Sequence, residues 1–160
     1  MTEIKTLDQV GREFMAQEEG IKLKPYRDSA GIPTIGIGCT FYPDGRKVTM
    51  KDAPLPDVKA AWKLFDKVNS NFLLTVYSTT RDDINQNQFN ALLSLCYNIG
   101  VGAFKTSTVL KLVNKNPNDP AIADAFYMWR YSTVDGVKKP ILAGRRKREA
   151  ALYFSNFTKK

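Results

Sequence analysis

Three residues near the N-terminus have types and spacing suited to chemistry. Eight residues separate Glu19 from Asp28, and five separate Asp28 from Thr34. Two carboxylates can cleave a glycosidic bond when one protonates the leaving oxygen and the other acts from the opposite side. Glu19 lies beside Glu18 and before Gly20, where a helix is expected to stop. The negative end of that helix and the neighbouring charge both disfavour ionisation, which is what a general acid needs near neutral pH. Taken singly, each residue has a plainer reading. Glu19 reads as a solvated glutamate at a helix end. Asp28, in Tyr26-Arg27-Asp28-Ser29-Ala30-Gly31, reads as turn chemistry. Thr34 reads as a strand residue. The run Ile35-Gly36-Ile37-Gly38 permits tight turns or close approach of a ligand. It is not a dinucleotide fingerprint, because it has no third glycine and no helix following.

The elements that must position these groups can be read along the chain. Leu7, Val10 and Phe14 recur at helical spacing, so a helix over 7–19 is expected, stopped by Gly20. From Pro25 to Gly45 prolines and glycines alternate with short apolar runs, the pattern of a small β-meander or hairpin. Thr49 to Asp52 could cap a helix. A long helix is expected from about 56 to 76, and a central buried one from Asn85 to Ile99, apolar around most of its circumference. Shorter helices are expected from Thr106 or Ser107 to Val113, and from Asp119-Pro120 to about Arg130. Val134 to Pro140 reads as a loop. A last helix, Leu142 to Phe154, would set Leu142, Ala150, Leu152, Tyr153 and Phe154 into the core. The fold class is therefore α+β and mainly helical, in one domain over 1–160. Residues of about 20–55 form a β-rich lobe; about 56–160 with the helix 7–19 form the larger helical lobe. A cleft between lobes is the expected place for a site.

Composition removes several classes of chemistry. The 160 residues include no histidine, which excludes Ser-His and Cys-His nucleophile pairs and His-ligated metals. No metal and no cofactor is expected. Cys39 and Cys96 are too few for a disulfide framework. The formal charge is +8, and residues 138–160 hold eight basic side chains against the single acid Glu149. Such a face suits nucleic acid, an acidic membrane surface or an anionic polysaccharide. No run of 18 apolar residues is present, so no membrane-spanning helix is expected. Residues 1–20 carry five acids and no apolar stretch, so no secretory signal is expected either.

The segment EGIKLKPYRDSAGIPTIGIG resembles the signature of the phage-type lysozymes, glycoside hydrolase family 24, and Glu19, Asp28 and Thr34 match it position for position. Gln88 to Leu110 is similar to the family's central helix with its Asn-x-Gly end. Trp129 and the arginine-rich run Leu142 to Glu149 resemble its closing region. The similarity covers about residues 12–154. It implies a lysozyme-like two-lobed fold and an endolysin that hydrolyses the β-1,4 bond from N-acetylmuramic acid to N-acetylglucosamine in peptidoglycan. Glu19 would be the general acid. Asp28 would orient a water or stabilise the developing positive charge, and Thr34 would hold that water. Inversion would go with carboxyl groups roughly 6.5–9.5 Å apart. Arg145 would approach Glu19. Asn98 would bind a sugar N-acetyl group or the Glu19 carboxylate, and Tyr26 would line the cleft or pack between lobes. Trp129 reads as core before sugar platform. The resemblance further implies a monomer that stays in the host cytoplasm until a holin-like partner releases it to the wall, with no nucleic acid as partner. One departure stands out: the family usually carries His-Thr after T-I-G-x-G, and this chain has Cys39-Thr40. Two other readings remain, a non-catalytic basic protein that binds wall or nucleic acid, and a lytic transglycosylase. The first draws only on the charge; the second can work with one glutamate.

Overall fold

A computed structural model describes residues 3–155. In chain order the described residues form α1 (Gln9–Glu19), β1 (Lys22–Arg27), β2 (Pro33–Gly36), α2 (Val58–Thr79), α3 (Gln86–Ile99), α4 (Val101–Lys105), α5 (Thr108–Lys115), α6 (Ala121–Tyr127), β3 (Ser132–Val134), β4 (Val137–Lys139) and α7 (Ala143–Tyr153). The strands make two separate two-stranded sheets, β1-β2 and β3-β4. The fold is mainly helical with a small β part.

The chain divides into two compact units. One comprises 13–70 and 133–139, the other, among the described residues, 3–12, 71–132 and 140–155. The first is the hairpin unit. Its buried apolar residues are Met15, Ile35, Ile37, Cys39, Val48, Ala61, Phe65 and Val68. β1 and β2 pair antiparallel with Tyr26 opposite Thr34 and Arg27 opposite Pro33, and the register shifts between Lys22 and Tyr26. Pro25 lies inside that shift. It has no N–H to give to a ladder, so regular pairing cannot continue through it. The expected helix cap at Thr49–Asp52 is instead a closed turn. Asp52 accepts from the Thr49 amide (3.0 Å), the Thr49 hydroxyl (2.7 Å) and the Tyr42 hydroxyl (2.6 Å). These bonds hold its carboxyl down at about 2, and burial, with the bond to Asp52, pushes the Tyr42 hydroxyl up to about 12. Pro54 and Pro56 follow, and α2 starts only at Val58, where the Asp57 carboxylate caps the Ala60 amide at 2.8 Å.

The second unit is helical and is built around α3. Ten consecutive residues of α3, Asn87 to Cys96, are buried. Its start is fixed by a capping box: the Asn85 side chain accepts from the Gln88 amide while the Gln88 side chain accepts from the Asn85 amide. The N-terminal segment is tied to the same helix. Asp8 accepts from Asn90 Nδ2 at 2.9 Å, and the Thr6 carbonyl accepts from Gln86 Nε2 at 2.9 Å. Ser107 caps α5 through the Leu110 amide. α6 ends at Tyr127, short of the expected Arg130.

Two expectations need correction. Val134 to Pro140 is not a loop: β3 and β4 form a hairpin closed by Asp135 (φ 52°) and Gly136 (φ 77°). Both turn residues take the left-handed region, as a two-residue hairpin turn requires, and Asp-Gly is a preferred pair for it. In α7, Tyr153 is buried but Phe154 is 41% exposed. Phe154 lies past the helix's last residue, so it no longer follows the stripe that buries Tyr153. Neither cysteine is in a disulfide, and both are buried. Burial pushes the Cys96 thiol up to about 12. Cys39 is 1% exposed, with its thiol 3.8 Å from the Ile37 carbonyl.

Candidate active site

The hairpin unit brings four of the six expected site residues together. Glu19 is the last residue of α1. The helix stops there because the Gly20 amide still bonds the Ala16 carbonyl (2.9 Å) while Gly20 itself turns to φ 74°. The Glu19 side chain lies against Gly38, which has φ 66°. A Cβ on Gly38 would meet the Glu19 carboxyl, with Cδ at 2.7 Å and Cγ at 3.0 Å. The second glycine of the Gly36-Ile37-Gly38 turn is therefore the wall of the Glu19 carboxyl. The turn is held by reciprocal bonds between Ile35 and Cys39, 2.9 and 3.0 Å.

Asp28 follows β1 directly. One oxygen, Oδ1, accepts from the Ala30 and Ile32 amides, both at 2.9 Å, while the Asp28 amide donates to the Ile32 carbonyl at 3.0 Å. This is the turn chemistry that its neighbours suggest. It uses one oxygen; among the described residues no hydrogen bond reaches Oδ2. Thr34, 2% exposed, lies in β2. Its hydroxyl donates to the Ile32 carbonyl at 2.8 Å. The hydroxyl proton is thereby committed, and the oxygen is left as an acceptor. Asp28 and Thr34 thus both offer acceptors, organised from the same loop residue, Ile32. Tyr26 faces Thr34 across the hairpin. Burial raises its hydroxyl first, then the charges of Glu19 and Asp28, with a smaller effect from Cys39. It stays a neutral hydroxyl that both carboxylates sense.

The other two expected residues lie in the helical unit. Asn98 is exposed near the C-terminal end of α3, and its Oδ1 accepts from Arg146 Nη2 at 2.6 Å. Arg145 is 6% exposed and serves a buried ionic cluster. Its Nε lies 3.1 Å from Glu149 Oε2, and its Nη2 donates to the Ser94 hydroxyl at 3.2 Å. Arg146 pairs with the same glutamate, Nε to Oε1 at 2.9 Å, and Ser94 donates to Glu149 Oε2 at 2.5 Å. Burial pushes the Glu149 carboxyl up, against the pull of Arg146, Arg145 and Ser94. Ser94, Arg146 and Glu149 were not singled out by sequence reasoning. The signal was available: Arg145 and Arg146 precede Glu149 at i,i+4 and i,i+3, which puts all three on one helix face. Among the described residues no group of three His, Cys, Asp or Glu could hold a metal. No helix of the described residues is long and apolar enough to cross a membrane.

A mainly helical chain with a small hairpin unit is the fold of a hydrolase of the lysozyme type. The phage lysozyme family profile matches residues 16–149, and the chain belongs to that family. It is 40% identical over 148 residues to an endolysin of Salmonella phage P22, covering 88% of this chain and 92% of that one. Its structure resembles an endolysin from the Escherichia coli O157:H7 phage FAHEc1, with TM-score 0.85, 33% identity and full coverage of both chains. It also resembles the muramidase domain of SpmX from Asticaccaulis excentricus, with TM-score 0.74, 28% identity, and coverage of 96% of this chain and all of that one. The chain is accordingly a lytic, peptidoglycan-hydrolysing enzyme.

Proposed function

We propose that this enzyme is a muramidase acting on the β-1,4 bond between N-acetylmuramic acid and N-acetylglucosamine, with inversion at the cleaved carbon. The observation that carries this reading is the pair of acceptors at Asp28 and Thr34. A water that donates one proton to Asp28 Oδ2 and the other to Thr34 Oγ1 has a lone pair left to direct at an anomeric carbon. Glu19 donates its proton to the glycosidic oxygen as the C1–O bond breaks. The water forms the new bond to C1 from the opposite face and gives its proton to the Asp28 carboxylate. Tyr26 keeps a neutral hydroxyl beside both carboxylates, and Asn98 serves substrate binding. No cofactor takes part. The enzyme acts as a monomer, waits in the host cytoplasm, and reaches the wall after a holin opens the membrane.

Digestion of purified peptidoglycan, with the first product followed by proton NMR, tests the reading. A reducing N-acetylmuramic acid end that appears first as the α anomer supports an inverting muramidase. The β anomer first would make it retaining. A reducing N-acetylglucosamine end would place the cut at the other glycosidic bond.

A further inference from the structure

Within the helical unit, α6 and α7 border a cavity of about 280 Å³ that the cleavage chemistry does not use. Ala123 and Ala150, one from each helix, leave it room, and Tyr127 supplies an aromatic wall. Three charged residues line it as well: Asp124 from α6, and Arg146 and Lys147 from α7. Arg146 is 0% exposed and is engaged by Glu149 and Asn98. The charges that face an incoming ligand are those of Asp124 and Lys147, both exposed.

These two opposite charges share a cavity without meeting. Among the described residues no ion pair or hydrogen bond joins the Asp124 carboxylate to the Lys147 ammonium. Lys147 is held by the aromatic wall instead, its Nζ 5.5 Å from the centroid of the Tyr127 ring. That ring is itself fixed by Arg130, whose Cζ lies 4.5 Å from its centroid and whose Nη1 donates to the Tyr127 carbonyl at 3.0 Å. Arg130 Nη2 donates to the Tyr131 hydroxyl at 2.9 Å, so the guanidinium is pinned where it stacks. A simple anion entering the cavity is repelled by Asp124, and a simple cation by Lys147. A group carrying both an ammonium and a carboxylate is met by both. The volume lies at the lower edge of the range for small-molecule sites, about 300–1,000 Å³, which suits a ligand of amino-acid size. We propose that the α6–α7 cavity is a second binding site, made of none of the residues that cleave, for a zwitterionic amino-acid group whose ammonium sits on Asp124 and whose carboxylate sits on Lys147. Two sources offer this chemistry: a free amino acid, and the unlinked end of a diamino acid in a wall stem peptide. The second source rests on the wall-polymer reading above; the site itself does not.

The test is titration of the full chain with free meso-diaminopimelate, followed by backbone amide NMR. The resonances of Asp124, Tyr127 and Lys147 should shift and saturate. Pimelate, which has the carboxylates and no ammonium, and cadaverine, which has the ammoniums and no carboxylate, should each bind about tenfold more weakly or worse, the loss of one charge-assisted contact. Asp124→Asn and Lys147→Gln should each weaken diaminopimelate binding by a similar factor. Both side chains are exposed, so the melting temperature should stay that of the wild type. A purified stem peptide ending in diaminopimelate that binds more tightly than the free amino acid assigns the wall as the source; equal or weaker binding assigns the free amino acid. No shift at these residues with either probe, control ligands as tight as diaminopimelate, or wild-type affinity in either variant would overturn the proposal. None of these readouts uses cleavage, so wild-type digestion of the wall, run in parallel, reports on the muramidase reading separately.

Discussion

The hairpin unit and the helical unit both contain glutamates, yet they treat them in opposite ways. Glu19 ends a helix and lies half-buried against a glycine, with its surroundings shaped by turns only a few residues long. Glu149 is 0% exposed and is met by two guanidiniums and a serine hydroxyl, one of them contributed by a different helix. In the proposed mechanism Glu19 hands over a proton, whereas Glu149 holds two buried cations together. The difference shows how a single residue type is set to different work by its surroundings.

The first way to test this contrast is Glu19→Gln. It should lower kcat/KM on peptidoglycan by about 10²–10⁴-fold, the usual contribution of a general acid. Folding stability should change by less than about 1 kcal/mol, as for positions outside a packed core. Urea denaturation beside a turbidity assay checks both. The converse is Glu149→Gln, which removes the charge from a carboxylate paired with two buried guanidiniums. Its expected cost is about 3–5 kcal/mol of stability, read as a lower urea midpoint. If Glu149→Gln kept full stability, the architectural role would be lost.

Gly38→Ala sharpens the hairpin side of the contrast. The added methyl would press on the Glu19 carboxyl at a position with φ 66°. Displacing a reacting group by about an ångström costs roughly 10²-fold in rate, so kcat should fall while secondary structure by circular dichroism stays unchanged. The smallest expected effect is at Asp52. Its carboxyl is lowered from 3.8 to about 2 by the Tyr42 and Thr49 bonds. A group depressed in the folded state stabilises above its unfolded value and loses that contribution as pH falls through the folded one. Wild type should therefore melt slightly higher than Asp52→Asn at pH 5–7, and the gap should close between about pH 4 and pH 2. A gap that persisted at pH 2 would mean that the charge of Asp52 is not what the turn uses.

The elements with strong local signals were legible in the sequence. α1 and its glycine stop, the Pro- and Gly-rich hairpin and the buried α3 all follow from periodicity and turn residues within short windows. The turn that organises Asp28 is equally local: Asp28 bonds residues only two and four positions away. The β3–β4 hairpin was missed although Val134-Asp135-Gly136-Val137 carries its turn pair, because each strand spans only three residues. The ionic cluster was only half visible. Arg145, Arg146 and Glu149 share a helix face by spacing, but Ser94 and Asn98 join them from 51 and 48 residues away in the chain. No local pattern encodes that meeting; it depends on how α3 packs against α7.

The central claim is that water, held by Asp28 and Thr34, resolves the cleaved bond. Digestion of peptidoglycan by the wild type, followed by borohydride reduction and mass spectrometry of the fragments, tests it most directly. The account predicts fragments that end in reduced N-acetylmuramic acid, each having gained one water before reduction. Fragments ending in 1,6-anhydro-N-acetylmuramic acid, untouched by borohydride, would contradict it and make the enzyme a transglycosylase.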